Sequence, residues 1–336
     1  MKVGTIVRTV EIEINPRVHI GLISMHSGAP RRNGGLGFAV DGPTALVTAA
    51  TSRELRLFDR RPKPMADQEV DRLRIKLNDV IEELSLRNCA TVEISGDFLT
   101  HHGMGSGTAI QLACIEGLLA INSRRIGRQD LVRLSGRGGT SGVGISTYFD
   151  GGLAFDLGVS GGASNLFAPS SIAANEVLPL QLHRQDFPDW PVGLCLPRNC
   201  KSKTQDEEIE FFRRVTPLSP AKSFEAAYVS VFQVLASLME QDYQSFCRGV
   251  TAMQACEWKR LERAEYAPHI DDMDKALRAL GVDCVGMSSL GPMLYFFGSA
   301  KALERVRAHS DNLDAEIILT SPKNSGRRFR GNGCLH

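Results

Sequence analysis

Several absences narrow this sequence before any motif is read. Lys and Arg exceed Asp and Glu by one, a formal net charge of +1. That balance gives no electrostatic case for nucleic acid or an anionic membrane as the main partner. No apolar run approaches the roughly 18–20 residues needed to span a bilayer. The N-terminus carries no basic-then-apolar leader, so the expected location is the cytoplasm. No C-x-x-C pair occurs among the eight cysteines, at 89, 114, 195, 200, 247, 256, 284 and 334. Most lie inside apolar runs and read as reduced thiols packed as small core residues, which excludes a disulfide framework or a zinc site. Internal repeats and low-complexity segments are also missing. What remains is ordinary globular composition, 43% hydrophobic and 23% charged over 336 residues, enough for two domains or one large one.

The most informative stretch is His101-His102-Gly103-Met104-Gly105-Ser106-Gly107-Thr108-Ala109-Ile110-Gln111-Leu112-Ala113. It follows the alternating run Thr91–Ser95, which reads as a strand, and opens Ile110–Ile121, which reads as a buried helix. Glycine lets the backbone approach a ligand with positive φ. The first helical N–H groups have no internal partner, and the helix dipole favours an anion there. The stretch is either a phosphate cradle, with Ser106 and Thr108 adding hydroxyls, or an ordinary connection. It is not G-x-x-x-x-G-K-[ST], since no lysine follows, nor G-x-G-x-x-G, since the third glycine is missing.

The rest of the chain supplies the setting. Residues 5–14 alternate as a strand. Arg31-Arg32-Asn33-Gly34-Gly35-Leu36-Gly37 is a hairpin turn or a backbone approach to an anion, and a strand follows near 44–50. Residues 67–87 form an amphipathic helix read as scaffold. Gln129–Leu134 is a short helix before a second glycine-rich, hydroxyl-bearing stretch, Gly136-Arg137-Gly138-Gly139-Thr140-Ser141-Gly142-Val143-Gly144. Arg137 suits a phosphate. Asp150 and Asp156 suit a divalent ion, acid–base work or a plain turn. A domain boundary is expected between about 165 and 190. Beyond it, Pro191–Leu196 is a strand, Asp206–Phe212 starts an acidic helix, and Ser219–Met239 is a long helix. Further helices cover roughly 242–264 and 270–280. Strands at Asp283–Met287 and Met293–Phe297, a helix at Lys301–His309 and a strand at Ala315–Thr320 complete a split βαβ, ferredoxin-like order. The basic end, Lys323, Arg327, Arg328 and Arg330, reads as a solvated tail.

Three of these segments together resemble the motifs of the GHMP kinase superfamily: Pro16-Arg17-Val18-His19, Gly103–Thr108 and Ser288-Ser289-Leu290-Gly291-Pro292. The resemblance covers nearly the whole chain. It implies an α+β, GHMP-kinase-like two-domain fold. Residues 1–165 would form the N-terminal α+β domain and 190–336 the C-terminal ferredoxin-like domain, with a ligand cleft between. Superfamily kinases usually read GLGSS[AS] at the central motif, whereas this chain reads Gly-Met-Gly-Ser-Gly-Thr-Ala-Ile-Gln-Leu-Ala. That variant is similar to the β-ribofuranosylaminobenzene 5′-phosphate synthases, as are Arg17–Leu22, Gly136–Gly144 and Glu207–Phe212. In many of the kinases the loop resembling Thr140–Gly144 ends in an aspartate, the catalytic base; here Gly144 stands there.

The resemblance implies a pentosyl transfer. Phosphoribosyl pyrophosphate would join 4-aminobenzoate or 4-hydroxybenzoate, releasing carbon dioxide and pyrophosphate, in the methanopterin branch of one-carbon metabolism. The implied phosphate and substrate contacts are Gly103, Gly105, Ser106, Gly107, Thr108, Gln111, Thr140, Ser141, Gly142, Ser288, Ser289 and Gly291. Arg17, His19, Arg137 and Asp150 are the expected catalytic residues. Mg²⁺ is expected with the pyrophosphate, on Ser106 and Glu208. A homodimer is also implied. A GHMP kinase using ATP, or a regulator that only binds ligand, are the competing readings.

Overall fold

The computed structural model describes residues 8–161, 167–169 and 178–331. Part of the expected domain boundary, the start of the 5–14 strand and Cys334 lie outside them. The first strands are β1 (Thr9–Ile14), β2 (Arg17–Ser24), β3 (Arg31–Ala39), β4 (Ala45–Ser52) and β5 (Arg56–Asp59). Helix α1 (Asp67–Glu83), β6 (Cys89–Gly96), α2 (Ser106–Ile121), α3 (Arg128–Ser135) and α4 (Gly142–Asp150) follow, then β7 (Leu153–Asp156), β8 (Val159–Ser160) and β9 (Gln181–Gln185). The second half holds β10 (Val192–Pro197), α5 (Gln205–Val215), α6 (Pro220–Tyr228), α7 (Ala236–Met239), α8 (Tyr243–Ala255), α9 (Glu257–Ala264) and α10 (His269–Ala279). It ends with β11 (Cys284–Met287), β12 (Leu294–Phe297), α11 (Ala300–Ala308), β13 (Ala315–Thr320) and β14 (Arg328–Gly331).

These strands make three sheets. One has the order β14-β1-β4-β6-β5, the second β2-β3-β7-β9 with β8 on β3, and the third β11-β12-β10-β13. The third is antiparallel throughout, and its order is that of a ferredoxin-like split βαβ. Helix α2 is apolar almost all round because it is enclosed: it packs across β1, β4 and β6 and meets α1, α3 and α4 on its other side. Helix α4 lies on β2, β3, β7 and β9, so α2 and α4 fill the space between the first two sheets. The expected helix over 219–239 is one rod with a π-helical stretch at Val229–Leu235 between α6 and α7.

Three readings of the sequence change. The glycine run at 31–40 is neither turn nor ligand approach. It is the interior of β3, where an added Cβ at Gly37 would come within 2.2 Å of the Val18 carbonyl oxygen. Arg31 is committed to the carbonyls of Leu157 and Gly158. The basic end is not a solvated tail: β14 pairs antiparallel with β1 and closes the first sheet. Lys323 bonds Asp41 at 2.8 Å, and Arg327 clasps both carboxylate oxygens of Glu116.

β2 carries one irregularity that matters for the site. Its pairing with β3 shifts between His19 and Gly21, a β-bulge. Side chains on a regular strand alternate between faces, so Arg17 and His19 share a face and Leu22 should point away. The extra residue resets the alternation, and Arg17, His19 and Leu22 all reach the same cavity.

Candidate active site

That cavity holds about 470 Å³ and opens at the N-terminus of α2. The helix starts at Gly105, whose φ of 77° is the left-handed conformation glycine tolerates and which offers no side chain to cap the first turn. Two arginines lie over this turn. The Arg17 side chain would touch a Cβ placed on Gly105, and the Arg137 guanidinium would stand 3.1 Å from one on Gly107. Arg17 also donates from Nη1 to the Gly103 carbonyl, while its Nε is buried with no partner among the described residues. Burial lowers both guanidinium pKa values to about 10, against the pull of Glu208 on each. Both remain cations at neutral pH.

The three sequence motifs meet at one carbonyl. Gly103 O accepts from Arg17 and, at 2.7 Å, from the Ser288 hydroxyl, which in turn accepts from the His19 backbone N–H at 2.9 Å. Ser289 N–H donates to the His19 carbonyl. Ser288 is fully buried and serves as this brace rather than facing the cavity; Ser289 and Gly291 do line it. An added Cβ on Gly291 would lie 2.2 Å from Gly103 N, so these loops pack backbone to backbone. The second glycine-rich stretch is the end of α3, a short turn of 3₁₀ helix at Gly139–Ser141 and the start of α4. It grips α2 from the other side: Thr108 and Ser141 hydroxyls bond at 3.1 Å, and Gln111 accepts from Arg137 at 2.7 Å while donating to the Ser135 carbonyl.

Most expected site residues therefore surround one space. Arg17, His19, Gly103, Gly105, Ser106, Gly107, Thr108, Gln111, Arg137, Thr140, Ser141, Glu208, Ser289 and Gly291 line it. Gly142 does not; it lies behind the wall, where the Asp156 carboxylate packs against it. Asp150 is not there either. It ends α4 on the far side, paired with Arg128 at 2.5 Å, and so is no catalytic group of this cavity. Gly144 does line the cavity, beside Thr108, and an added Cβ there would meet only ordinary contacts. This wall position thus has room for a side chain and carries none.

Several residues were missed in the sequence. Helix α1 is more than scaffold, since Glu69, Arg72 and Lys76 face the cavity from it. His101, in the turn before α2, bonds Glu69 at 2.6 Å, which raises its own pKa; burial works against Glu69, but the bond with His101 brings that carboxyl below its usual value. Lys203, Phe212, Leu290 and Glu262 also line the wall. Glu262 is buried and held by Trp258 Nε1 at 2.8 Å and Lys259 Nζ at 2.6 Å. His19 is buried, and its pKa is pushed well below the usual value by burial and by the cations Arg17 and Lys259, so its imidazole is neutral.

Among the described residues no group of three or more His, Cys, Asp or Glu is placed to hold a metal. Mg²⁺ makes a smaller demand, one or two protein oxygens plus substrate phosphates. Of the three cavity carboxylates, Glu69 and Glu262 are taken by neighbours. Glu208 has no side-chain hydrogen bond or ion pair among the described residues. Burial raises its pKa despite His101, Arg137 and Arg17 nearby. A hard oxygen kept short of partners in a cavity suits a cation arriving with its ligand.

Solved structures of similar fold include kinases and a decarboxylase. Phosphomevalonate kinase of Streptococcus pneumoniae matches with a TM-score of 0.67 at 11% identity, over 94% of this chain and 100% of that one. Homoserine kinase of Cytophaga hutchinsonii matches at 0.63 and 14%, over 96% and 97%. Mevalonate diphosphate decarboxylase of Staphylococcus aureus matches at 0.63 and 12%, over 97% and 98%. The chain has the GHMP-kinase-like fold. Within that fold its sequence resemblance is to synthases. β-Ribofuranosylphenol 5′-phosphate synthase of Archaeoglobus fulgidus is 28% identical over 315 residues, covering 92% of this chain and 96% of that protein. The protein of the same name from Methanothermobacter thermautotrophicus is 26% identical over 329 residues, covering 94% and 98%. No family model matches the chain. The chain is thus similar in fold to kinases and a decarboxylase, and in sequence to the synthases.

Proposed function

We propose that the protein joins phosphoribosyl pyrophosphate to a 4-substituted benzoate and releases pyrophosphate and carbon dioxide. The observation that carries this is the uncapped N-terminus of α2, opening between two half-buried arginines into a cavity large enough for a sugar phosphate. The names of the similar synthases give the product, a ribofuranosylphenol phosphate, and so favour 4-hydroxybenzoate as acceptor.

In this reading the pyrophosphate lies on the N–H groups and hydroxyls of Ser106–Thr108, with Arg137 beside it and Arg17 between it and the acceptor. These fixed donors receive the charge that develops as the bond from ribose C1 to the leaving oxygen breaks. The ring carbon bearing the carboxylate attacks C1, driven by the electron-donating para group. The C–C bond to the carboxylate then breaks, carbon dioxide leaves, and its bonding pair restores the aromatic ring. No alcohol has to lose a proton, so the bare Gly144 costs this reaction nothing. Mg²⁺, held by Glu208 and Ser106, would neutralise pyrophosphate charge. Neutral His19 can donate or accept one hydrogen bond at the cavity wall without adding charge. The proposal includes a role in methanopterin synthesis and assembly as a homodimer, both supported by the resemblance alone, and a cytoplasmic location, supported by the unpaired cysteines among the described residues.

The test is to incubate the protein with Mg²⁺, phosphoribosyl pyrophosphate and carboxyl-labelled 4-hydroxybenzoate or 4-aminobenzoate. Labelled carbon dioxide is expected, and Ser106→Ala should slow its release roughly 100- to 1000-fold, as for loss of one transition-state hydrogen bond. A wild-type protein that releases none, or that instead phosphorylates an alcohol from ATP, overturns the proposal.

A further inference from the structure

The cavity has two apolar patches, and they differ in what surrounds them. Met65, Leu73 and Ile110 lie on the α1 side, with Arg72 and Lys76 projecting from the same helix one turn apart. Cations four residues apart beside a small apolar floor suit a phosphorylated sugar. The other patch is Leu22, Phe212 and Leu290, brought together from β2, α5 and the loop between β11 and β12. All three are at most 6% exposed and belong to a small cluster with Met25, Phe167, Phe211 and Trp258.

This second patch is a rigid wall. Phe212 stands edge-on to Trp258 at 5.2 Å and to Phe211 at 6.1 Å, and Trp258 is fixed by its bond to Glu262. Leu290 is held at its carbonyl by Tyr266 Oη at 2.7 Å, and its loop by Ser289 N–H on His19 O and Lys259 Nζ on Ser289 O. Leu22 is present only because the bulge in β2 turns it onto the face of Arg17 and His19. Arg17, with its buried and unpartnered Nε, is the cation on that face.

We infer that Leu22, Phe212 and Leu290 form the subsite for the aromatic ring of the acceptor, with Arg17 facing the acceptor carboxylate. This rests on the function proposed above and separates the two substrates within one cavity: sugar donor along α1 and α2, aromatic acid against the cluster behind α5. A flat apolar ring gains from a fixed apolar wall that has no conformational freedom left to lose. The carboxylate needs the cation until carbon dioxide departs.

Isothermal titration separates the possibilities. The dissociation constant of 4-hydroxybenzoate is measured with Mg²⁺ and pyrophosphate present, and that of phosphoribosyl pyrophosphate in the absence of aromatic acid. Leu290→Ala should weaken 4-hydroxybenzoate binding about tenfold, the effect of losing two or three methylene-sized contacts. It should leave phosphoribosyl pyrophosphate within about twofold, and that second value also reports that the variant is folded. Phe212→Leu, which keeps an apolar side chain, should weaken the acid by a smaller factor in the same direction. Leu73→Ala should show the opposite selectivity. If Leu290→Ala and Phe212→Leu leave acid binding unchanged, or Leu73→Ala alone weakens it, the subsite is wrong while the function stands. If the wild type binds the sugar donor and no aromatic acid, the subsite and the acceptor both fall. If it binds neither, the proposed function falls with them.

Discussion

His19 shows how one buried side chain links the cavity to solution conditions. Its imidazole sits among Arg17 and Lys259 and has a pKa well below the usual value, whereas in the unfolded chain it titrates near 6.5. Between those values the unfolded state binds more protons, so stability falls as pH drops below about 6.5 and is unaffected above it. A His19→Asn variant lacks this titration. Urea midpoints at pH 7 and pH 5 should show the wild type losing more stability than the variant over that interval; equal losses would mean that His19 is not held neutral. Ser288 and Gly103 show a different residue-scale constraint. The first looks like a ligand contact by position in its motif, yet its hydroxyl is used up bracing a carbonyl and a backbone amide. Residue identity at 103 is set by space, since an added Cβ would meet the Ser288 carbonyl oxygen at 2.2 Å.

At the scale of elements, α1 is where reading the sequence fell short. Its apolar stripe is plain, with Leu73, Leu77 and Val80 buried, and a stripe of that kind accounts fully for a scaffold helix. Nothing local distinguishes Arg72 and Lys76 from the charged residues that cover any such helix. They become site residues only because α1 lies across the opening of α2. Many of the other elements were legible from periodicity and glycine placement, including the β10-to-β13 order and the glycine-rich start of α2. The sheet of β2, β3, β7, β8 and β9, the helix α4, the strand β5 and the pairing of β14 were not, because each is settled by neighbours distant in sequence. Asp150 failed for the same reason: its partner Arg128 comes from α3. If α1 contributes a phosphate contact, the double variant Arg72→Ala/Lys76→Ala should weaken phosphoribosyl pyrophosphate binding about tenfold or more. Each lost charged hydrogen bond is worth about 1.5–3 kcal/mol at most, so a change under twofold would return α1 to scaffold. The exposed position of Arg72 makes a general loss of fold an unsuitable explanation for such a change.

On the scale of the whole molecule, the halves are laced rather than merely joined. The largest core cluster runs from Val10 to Phe297, β9 extends the sheet of β2, and β14 returns to β1. Arg327 adds a two-oxygen clasp on Glu116, with its guanidinium 4.8 Å from the Phe149 ring. Ending the chain at Gly326 removes both strand and clasp, and calorimetry should show a melting temperature lower by several degrees. Arg327→Ala alone should produce part of that drop. A truncated protein that melts with the wild type would show that β14 contributes nothing to stability.

The bond from Ser288 to the Gly103 carbonyl spans 185 residues, and the one from His19 to Ser288 spans 269. On a ribosome, α2 and its glycine turn emerge long before the loop that braces them. A nascent chain lacking residues beyond about 280 therefore has the helix but not the finished cradle. Long-range closure of this kind comes late and slowly in folding. Ligand binding can stabilise only the species that already possesses the site. The substrate thus acts as a selector for completed molecules, favouring chains that have closed the Ser288 contact and doing nothing to rescue those still waiting for it.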